Sequence, residues 1–196
     1  MKLRHLFFFA CFVSTLSYSQ PYVAGHISIY KLEISHWDNV TTPHDHEDFK
    51  FKPSFGLHSS LGYKFREVFR TEFEFYYNHD AKIKAENATK ASHHSYMFNF
   101  LFDIFVFENF TPYIGFGLGS AIYRFKNNDY NFERGRYANI QLIYGISYRY
   151  DEKLSFDFSR RIRSSDFFLG DANPTARPYV TEQYARELLL GIRRYF

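Results

Sequence analysis

A two-residue rhythm of bulky and small side chains runs through most of the chain. In "SFGLHSSLGYKF" (54–65), Phe55, Leu57, Leu61, Tyr63 and Phe65 share one face. Gly56, His58, Ser60, Gly62 and Lys64 share the other. Successive side chains of a strand point to opposite faces, so this alternation predicts a strand. The same rhythm recurs over 22–30, 69–78, 95–105, 111–123, 138–150, 154–163 and 187–196, which makes eight predicted strands. On each, one face carries Phe, Tyr, Leu and Ile, and the opposite face carries mainly Gly, Ser, Asn and charged residues.

The links between strands alternate in length. Those at "REV" (66–68), "VFENF" (106–110) and "DEK" (151–153) are tight, whereas 31–52, 79–94, 124–137 and 164–185 are long. Tight turns at one end and long loops at the other, joining strands of about ten residues, describe an outer-membrane barrel. The expected fold is therefore all-β: an eight-stranded antiparallel up-and-down transmembrane β-barrel. A soluble barrel would also alternate, but with its apolar face inward. Eight strands enclose an interior only just wide enough to fill with side chains. The bulky face does not fit there and the small, charged face does, so the bulky face is assigned to lipid.

That assignment sends ten ionisable residues inside. Lys64, Arg70, Arg161, Arg163 and Arg193 are cationic; Glu72, Glu74, Asp103, Asp157 and Glu187 are anionic. The signs balance. Charges confined away from water are costly unless paired, so the set reads as an ion-pair network filling the lumen. The glycines of 115–119 leave room for long arginines. Re-pairing of the same residues would give a narrow or gated pore instead. Arg160 breaks the pattern. Alternation turns it toward lipid near the middle of its strand, where an arginine costs about 2–4 kcal/mol. Either it reaches lipopolysaccharide phosphates nearer the outer leaflet, or a bulge at 160–161 re-aims it. Arg194, near the periplasmic rim, can snorkel.

Composition sharpens this picture. The 196 residues include 25 Phe and 17 Tyr, yet the average hydropathy is on the polar side. The aromatics are thus dispersed rather than gathered into an apolar helix. Gathering occurs once, at the start: "MKLRH", then "LFFFACFV", then "STLSYSQ". A basic start, a short apolar run and small residues read as a secretory signal peptide. The run is too short to span a bilayer as a helix. Residues 1–19 are expected to be removed, leaving a barrel domain over 20–196. The only cysteine, Cys11, falls in the signal, so no disulfide is expected in the mature chain. Loss of Lys2 and Arg4 brings the net charge of +3 closer to neutral. A near-neutral chain argues against a nucleic-acid partner.

Candidate chemistry is sparse. In "SHWDNVTTPHDHEDF" (35–49), His44 and His46 stand among Asp45, Glu47 and Asp48. Imidazole with carboxylate can hold Zn, Cu or Ni, but no third ligand is fixed by the pattern, and no resident metal or cofactor is expected. His93 and His94 open the fourth strand as rim residues. A lipid-modifying enzyme would need a serine–histidine pair. His58 and Ser59 point to opposite faces, and His58 with Ser60 faces the lumen; His94–Ser95 is likewise adjacent along one strand. No carboxylate orienter is evident beside them on the lipid face, so no catalytic triad is assigned. Trp37, Tyr130, Phe132, Phe167, Phe168 and Tyr179 fall in the long links and could anchor a partner. Lys84, Lys126, Arg134, Arg136 and Arg177 there could meet anionic glycans.

Together "SFGLHSSLGYKF", "FRTEFEFYYN", "TPYIGFGLGSAIY", "LSFDFSRRIR" and "ELLLGIRRYF" resemble the opacity-protein family of small outer-membrane barrels, related to the barrel of the OmpA superfamily. The resemblance spans essentially the whole mature chain. It implies the outer membrane of a Gram-negative bacterium, surface exposure, and contact with a host protein or glycan through the loops. Outer-membrane lipid, lipopolysaccharide and the barrel assembly machinery are the other implied partners. Three functions follow as expectations: a surface protein of structural or adhesive role, a small porin-like diffusion pore, and a lipid A-modifying enzyme. Phe196 resembles the terminal signal by which such barrels are recognised for insertion, although Arg194 stands where the family often has an aromatic. No peptidoglycan-binding domain is expected after the last strand.

Overall fold

The computed structural model of the chain describes residues 19–37, 46–50, 52–66, 68–82, 90–126, 131–168 and 180–196. Residues 1–18, which include Cys11 and most of the expected signal, lie outside the described residues.

Each alternating stretch forms a strand. In chain order these are β1 (Ser19–Trp37), β2 (His46–Lys50), β3 (Ser54–Phe65), β4 (Phe69–Lys82), β5 (Lys90–Asp103), β6 (Phe110–Lys126), β7 (Asn131–Arg149), β8 (Leu154–Phe168) and β9 (Val180–Tyr195). Consecutive strands from β3 to β9 pair antiparallel. β1 pairs with β3 on one side and β9 on the other, from Tyr22↔Tyr195 to Trp37↔Val180, which closes the sheet. Closure removes the free edges that a lipid environment would leave without partners. The wall has eight positions. β2 adds a short ninth strand along the far end of β1, Glu33↔Lys50 to Trp37↔His46, as an outward continuation of β3.

Burial follows parity. Outward Phe55 is 72% exposed and Leu61 65%, while inward Glu74 and Asn99 are 0%. A soluble protein shows the reverse, so the outer wall is the lipid-facing surface and the core is the polar interior of an all-β, eight-stranded transmembrane barrel.

β3 matches its expected bounds; most others run further at the loop end. β1 reaches Trp37 rather than residue 30, β4 Lys82 rather than 78, and β8 Phe168 rather than 163. β5, β7 and β9 begin several residues before the onset of alternation. Parts of the four long links are therefore strand, and the gap between β6 and β7 is residues 127–130. At those ends neither face meets lipid, so the hydrophobic rhythm fades while the backbone ladder continues. Register shifts fall there too, between Asn78 and Ala81, Tyr123 and Phe125, and Ala138 and Ile140. Rims are where bulges commonly bend a strand without exposing a ladder to lipid.

Candidate functional site

All ten ionisable residues assigned inward lie inside the barrel, in two tiers, with a third tier of histidine and tyrosine above them. Nearest the tight turns, Arg70 donates to Asp103 Oδ1 from Nε at 3.0 Å and Nη2 at 2.7 Å, with Lys64 Nζ at 3.8 Å from the other oxygen. The Arg70 guanidinium also lies 4.6 Å over the Tyr113 ring. Across the lumen Arg193 clasps Asp157, donating as well to Ser147 Oγ at 3.0 Å and Tyr195 Oη at 3.1 Å. Tyr22 donates to Glu72 at 2.8 Å. A cavity of about 190 Å³ opens at this end, bounded by Lys64, Asp103, Arg149, Glu152 and Arg193 among others.

The middle tier centres on Glu74. Arg161 pairs with both its oxygens, and Arg163 Nη2 is 3.5 Å away. Asn99 donates to Glu74 at 2.8 Å, Gln141 to Asn99 at 2.6 Å, and Arg163 Nε to Gln141 at 2.7 Å. Arg163 Nη1 reaches Glu187 at 3.0 Å. The ring thus passes from β4 through β5, β7 and β8 to β9. It crosses β6 over Gly117, which is paired with Asn99 and Gln141 in one row. A Cβ there would meet Gln141 at 2.9 Å and collide with the Asn99 oxygen. Glycine at 117 is what lets the two amides touch.

Above it, His58 stacks on Tyr76 at 4.6 Å between ring centroids, Tyr76 contacts His93, and Arg163 lies 3.8 Å over the Tyr76 ring. The histidines and tyrosines of the interior were not assigned to the network from sequence, although Tyr22, His26, His58, Tyr76 and His93 all occupy inward positions. His93 is buried inside β5 rather than at the rim, a correction that follows from β5 starting at Lys90.

One detail goes beyond the sequence reading of the histidines. His58 is hydrogen-bonded through Nε2 to Ser28 Oγ at 3.0 Å and through Nδ1 to Glu74 Oε1 at 3.0 Å. That order of hydroxyl, imidazole and carboxylate matches a hydrolase triad in connectivity. Its setting does not match. Ser28 is 3% exposed, Glu74 is held by Arg161, and a Cβ on Gly56 would meet Ser28 Oγ, so there is no room for an acyl group beside the hydroxyl.

Arg160 faces outward, with Tyr144 on β7 and Leu188 on β9 as its register partners. Pairing is unbroken from Ile140↔Ser164 to Arg149↔Ser155, so the bulge considered at 160–161 is absent and the β8 register shift lies nearer the outer rim. Arg186, also outward, is opposite Lys31 on one side and Ile162 on the other. Arg194 is exposed near the periplasmic end. Phe196 is 67% exposed, and its N–H donates to the Pro21 carbonyl at 3.0 Å.

His44 lies outside the described residues, and His46 is known as a backbone position at the start of β2. Among the described residues no group of three or more His, Cys, Asp or Glu is arranged to hold a metal. Trp37, Phe132, Phe167 and Phe168, expected in loops, are on strand extensions, as are Lys126, Arg134 and Arg136. Tyr130, Tyr179, Lys84 and Arg177 lie outside the described residues.

Comparison with known proteins agrees with this architecture. No curated protein matches the sequence. Among solved structures, Neisserial surface protein A superposes with a TM-score of 0.65 at 15% identity, covering 90% of this chain and 97% of that one. The outer membrane protein AlkL gives 0.55 at 13% identity, covering 91% and 90%. The N-terminal β-barrel domain of Pseudomonas aeruginosa OprF gives 0.51 at 13% identity, covering 87% and 97%. At such identities these likenesses establish the fold alone. The family model for the outer membrane protein beta-barrel domain matches residues 6–181. Closed wall, outward apolar face and family match agree: the chain belongs to the family of small eight-stranded β-barrels of the Gram-negative outer membrane.

Proposed function

We propose that the protein is a surface barrel whose lumen is filled by side chains, and whose outer end serves a structural or adhesive role toward a host protein or glycan. In this reading it is exported by its N-terminal segment, inserted by the barrel assembly machinery with Phe196 as a recognition element, and carries out no catalysis. The observation that supports the filled lumen most directly is the ring from Glu74 through Asn99, Gln141 and Arg163 to Glu187. It spans five of the eight wall positions, and its members are at most 4% exposed. A rigid interior leaves the extended strand ends and loops as the variable, water-exposed part, where binding residues concentrate.

A diffusion pore is the second reading. It is favoured by the cavity at the periplasmic mouth, and by Arg163 lying within reach of both Glu74 and Glu187, two alternative acids for one cation. Planar-bilayer recording separates the two. The filled-lumen reading expects no unitary conductance steps from the folded protein, and steady channel events would overturn it. The adhesive role is tested separately, by replacing the described outer strand ends with short tight turns and measuring adherence of expressing cells. Undiminished adherence would remove that role while leaving the lumen reading intact.

A further inference from the structure

The outer wall carries a feature that neither a filled lumen nor an adhesive end requires: cations on the lipid-facing side of β1, β8 and β9. Arg186 stands directly opposite Lys31 across the β1–β9 seam, so their Cβ atoms are about 5 Å apart. Arg160 is one diagonal step away, since it pairs with Leu188, two positions along β9 from Arg186. Diagonal neighbours are about 7–8 Å apart. Arg186 stacks 5.0 Å over the Tyr184 ring on the same face, which holds its guanidinium along the wall. Lys31 Nζ is paired with Glu33 at 2.8 Å. The lipid-facing positions just below them are apolar, including Ile29, Leu188 and Leu190.

Depth assigns the leaflet. Strands rise about 3.3 Å per residue and tilt by about 35–45° in such barrels, or roughly 2.5 Å of height per residue. Lys31 lies about ten residues above Pro21 and Arg186 about ten before Phe196. Both are then roughly 25 Å above the periplasmic end, the height of the apolar band. Arg160 is about six residues above Leu154, within the band, and its stem is long enough to raise the guanidinium toward the other two. The cluster sits at the outer boundary, where the lipids of the outer leaflet place their phosphates.

We propose that Arg160, Arg186 and Lys31 form a wall-side site for the phosphorylated headgroup of lipid A. Two planar guanidiniums and an ammonium suit phosphate oxygens, the guanidiniums through paired donors. The acyl chains of the same lipid would lie against the apolar wall beneath. A phosphate supplies the counter-charge that a lipid-facing arginine otherwise lacks, which explains why Arg160 is kept in the apolar band without a bulge to hide it.

The test uses the full barrel in mild detergent and native mass spectrometry to count bound lipid A. Diphosphorylated lipid A is expected to bind as a discrete adduct, and chemically dephosphorylated lipid A to bind at least tenfold more weakly. The double variant Arg160→Gln/Arg186→Gln is expected to lose the adduct to a similar degree, with the heat-modifiable gel shift of the folded barrel unchanged. If that variant does not fold, the comparison of the two lipids on the native protein stands alone as the test. Equal binding of both lipids would overturn the site. So would phosphatidylglycerol displacing lipid A at equal concentration, which would indicate general attraction to anionic lipid. Displacement by millimolar inorganic phosphate would also overturn it, by showing a free-anion site. The site does not rest on the adhesive reading, and either can fail without the other.

Discussion

Glu74 shows how one side chain organises the interior. Its two oxygens receive Arg161, Asn99 and Arg163, and His58 lies at 3.0 Å. A carboxylate so surrounded costs little to bury, whereas the same site without it leaves two guanidiniums in a space closed to water. Removing one partner of a buried ion pair is destabilising by about 3–5 kcal/mol. Glu74→Ala is accordingly expected to lose roughly that amount, measured by urea unfolding of the barrel in lipid vesicles. Glu74→Gln should lose less, because it keeps an acceptor for Asn99. A loss under about 1 kcal/mol for the alanine variant would mean that Glu187 takes over both arginines. The positions of these charges were legible from parity alone: each of the ten residues is where alternation put it. What parity does not give is the partner. Arg161 and Glu74 are separated by 87 positions in the chain. They meet because three strands lie between them around a closed wall, which is a property of shear and tilt rather than of either strand. The same limit hid the contact of His58 with Ser28, which joins two neighbouring strands through side chains of different lengths.

At the scale of elements, the sequence marks where a strand meets lipid and not where it ends. β3 was legible from end to end because its whole length lies against the membrane, with Phe55, Leu57, Leu61 and Tyr63 outward. β1, β4 and β8 overran their expected ends because hydrogen bonding to neighbours continues into water, where composition no longer alternates. The tight link after β5 is the opposite case. Ile104, Phe105, Val106 and Phe107 are consecutive and 48–64% exposed, and Phe107 and Phe110 exchange backbone hydrogen bonds of 2.8 Å to close the turn. Four apolar residues in a row on a water-facing turn would be costly, yet they follow the lipid-facing Phe102 with only the inward Asp103 between. This hairpin is expected to rest in the interfacial layer of the periplasmic leaflet rather than in bulk water. A single tryptophan at Phe105, with Trp37 replaced by Phe, should show blue-shifted emission and quenching by brominated lipid in vesicles. Emission near that of free tryptophan, with efficient quenching by acrylamide, would place the turn in water.

For the whole molecule, the decisive quantity is how much of the lumen the charged ring occupies. Eight strands leave an interior about as wide as the side chains it holds, so a filled state is the default and a channel requires material to be removed. The paired charges are not needed for closure as such, because the wall is sealed by β1–β9 pairing from Tyr22 to Trp37. An ion pair replaced as a unit is commonly tolerated where its half-removal is not. Glu74→Ala and Glu187→Ala combined with Arg161→Ala and Arg163→Ala remove both acids and both of their cations together. That quadruple variant should still close, with the gel shift of a folded barrel retained. It should also lack the steric block of the middle tier, joining the periplasmic cavity near Lys64 and Arg193 to the space around His58 and Tyr76. Unitary conductance is then expected from the quadruple variant and none from the native barrel. Silence from a folded quadruple variant would mean that the flanking tiers, Arg70–Asp103 and Arg193–Asp157 below and Tyr76–His93 above, close the lumen unaided. The interior would then be a stack of independent seals, and the middle ring would owe its place to stability rather than to exclusion.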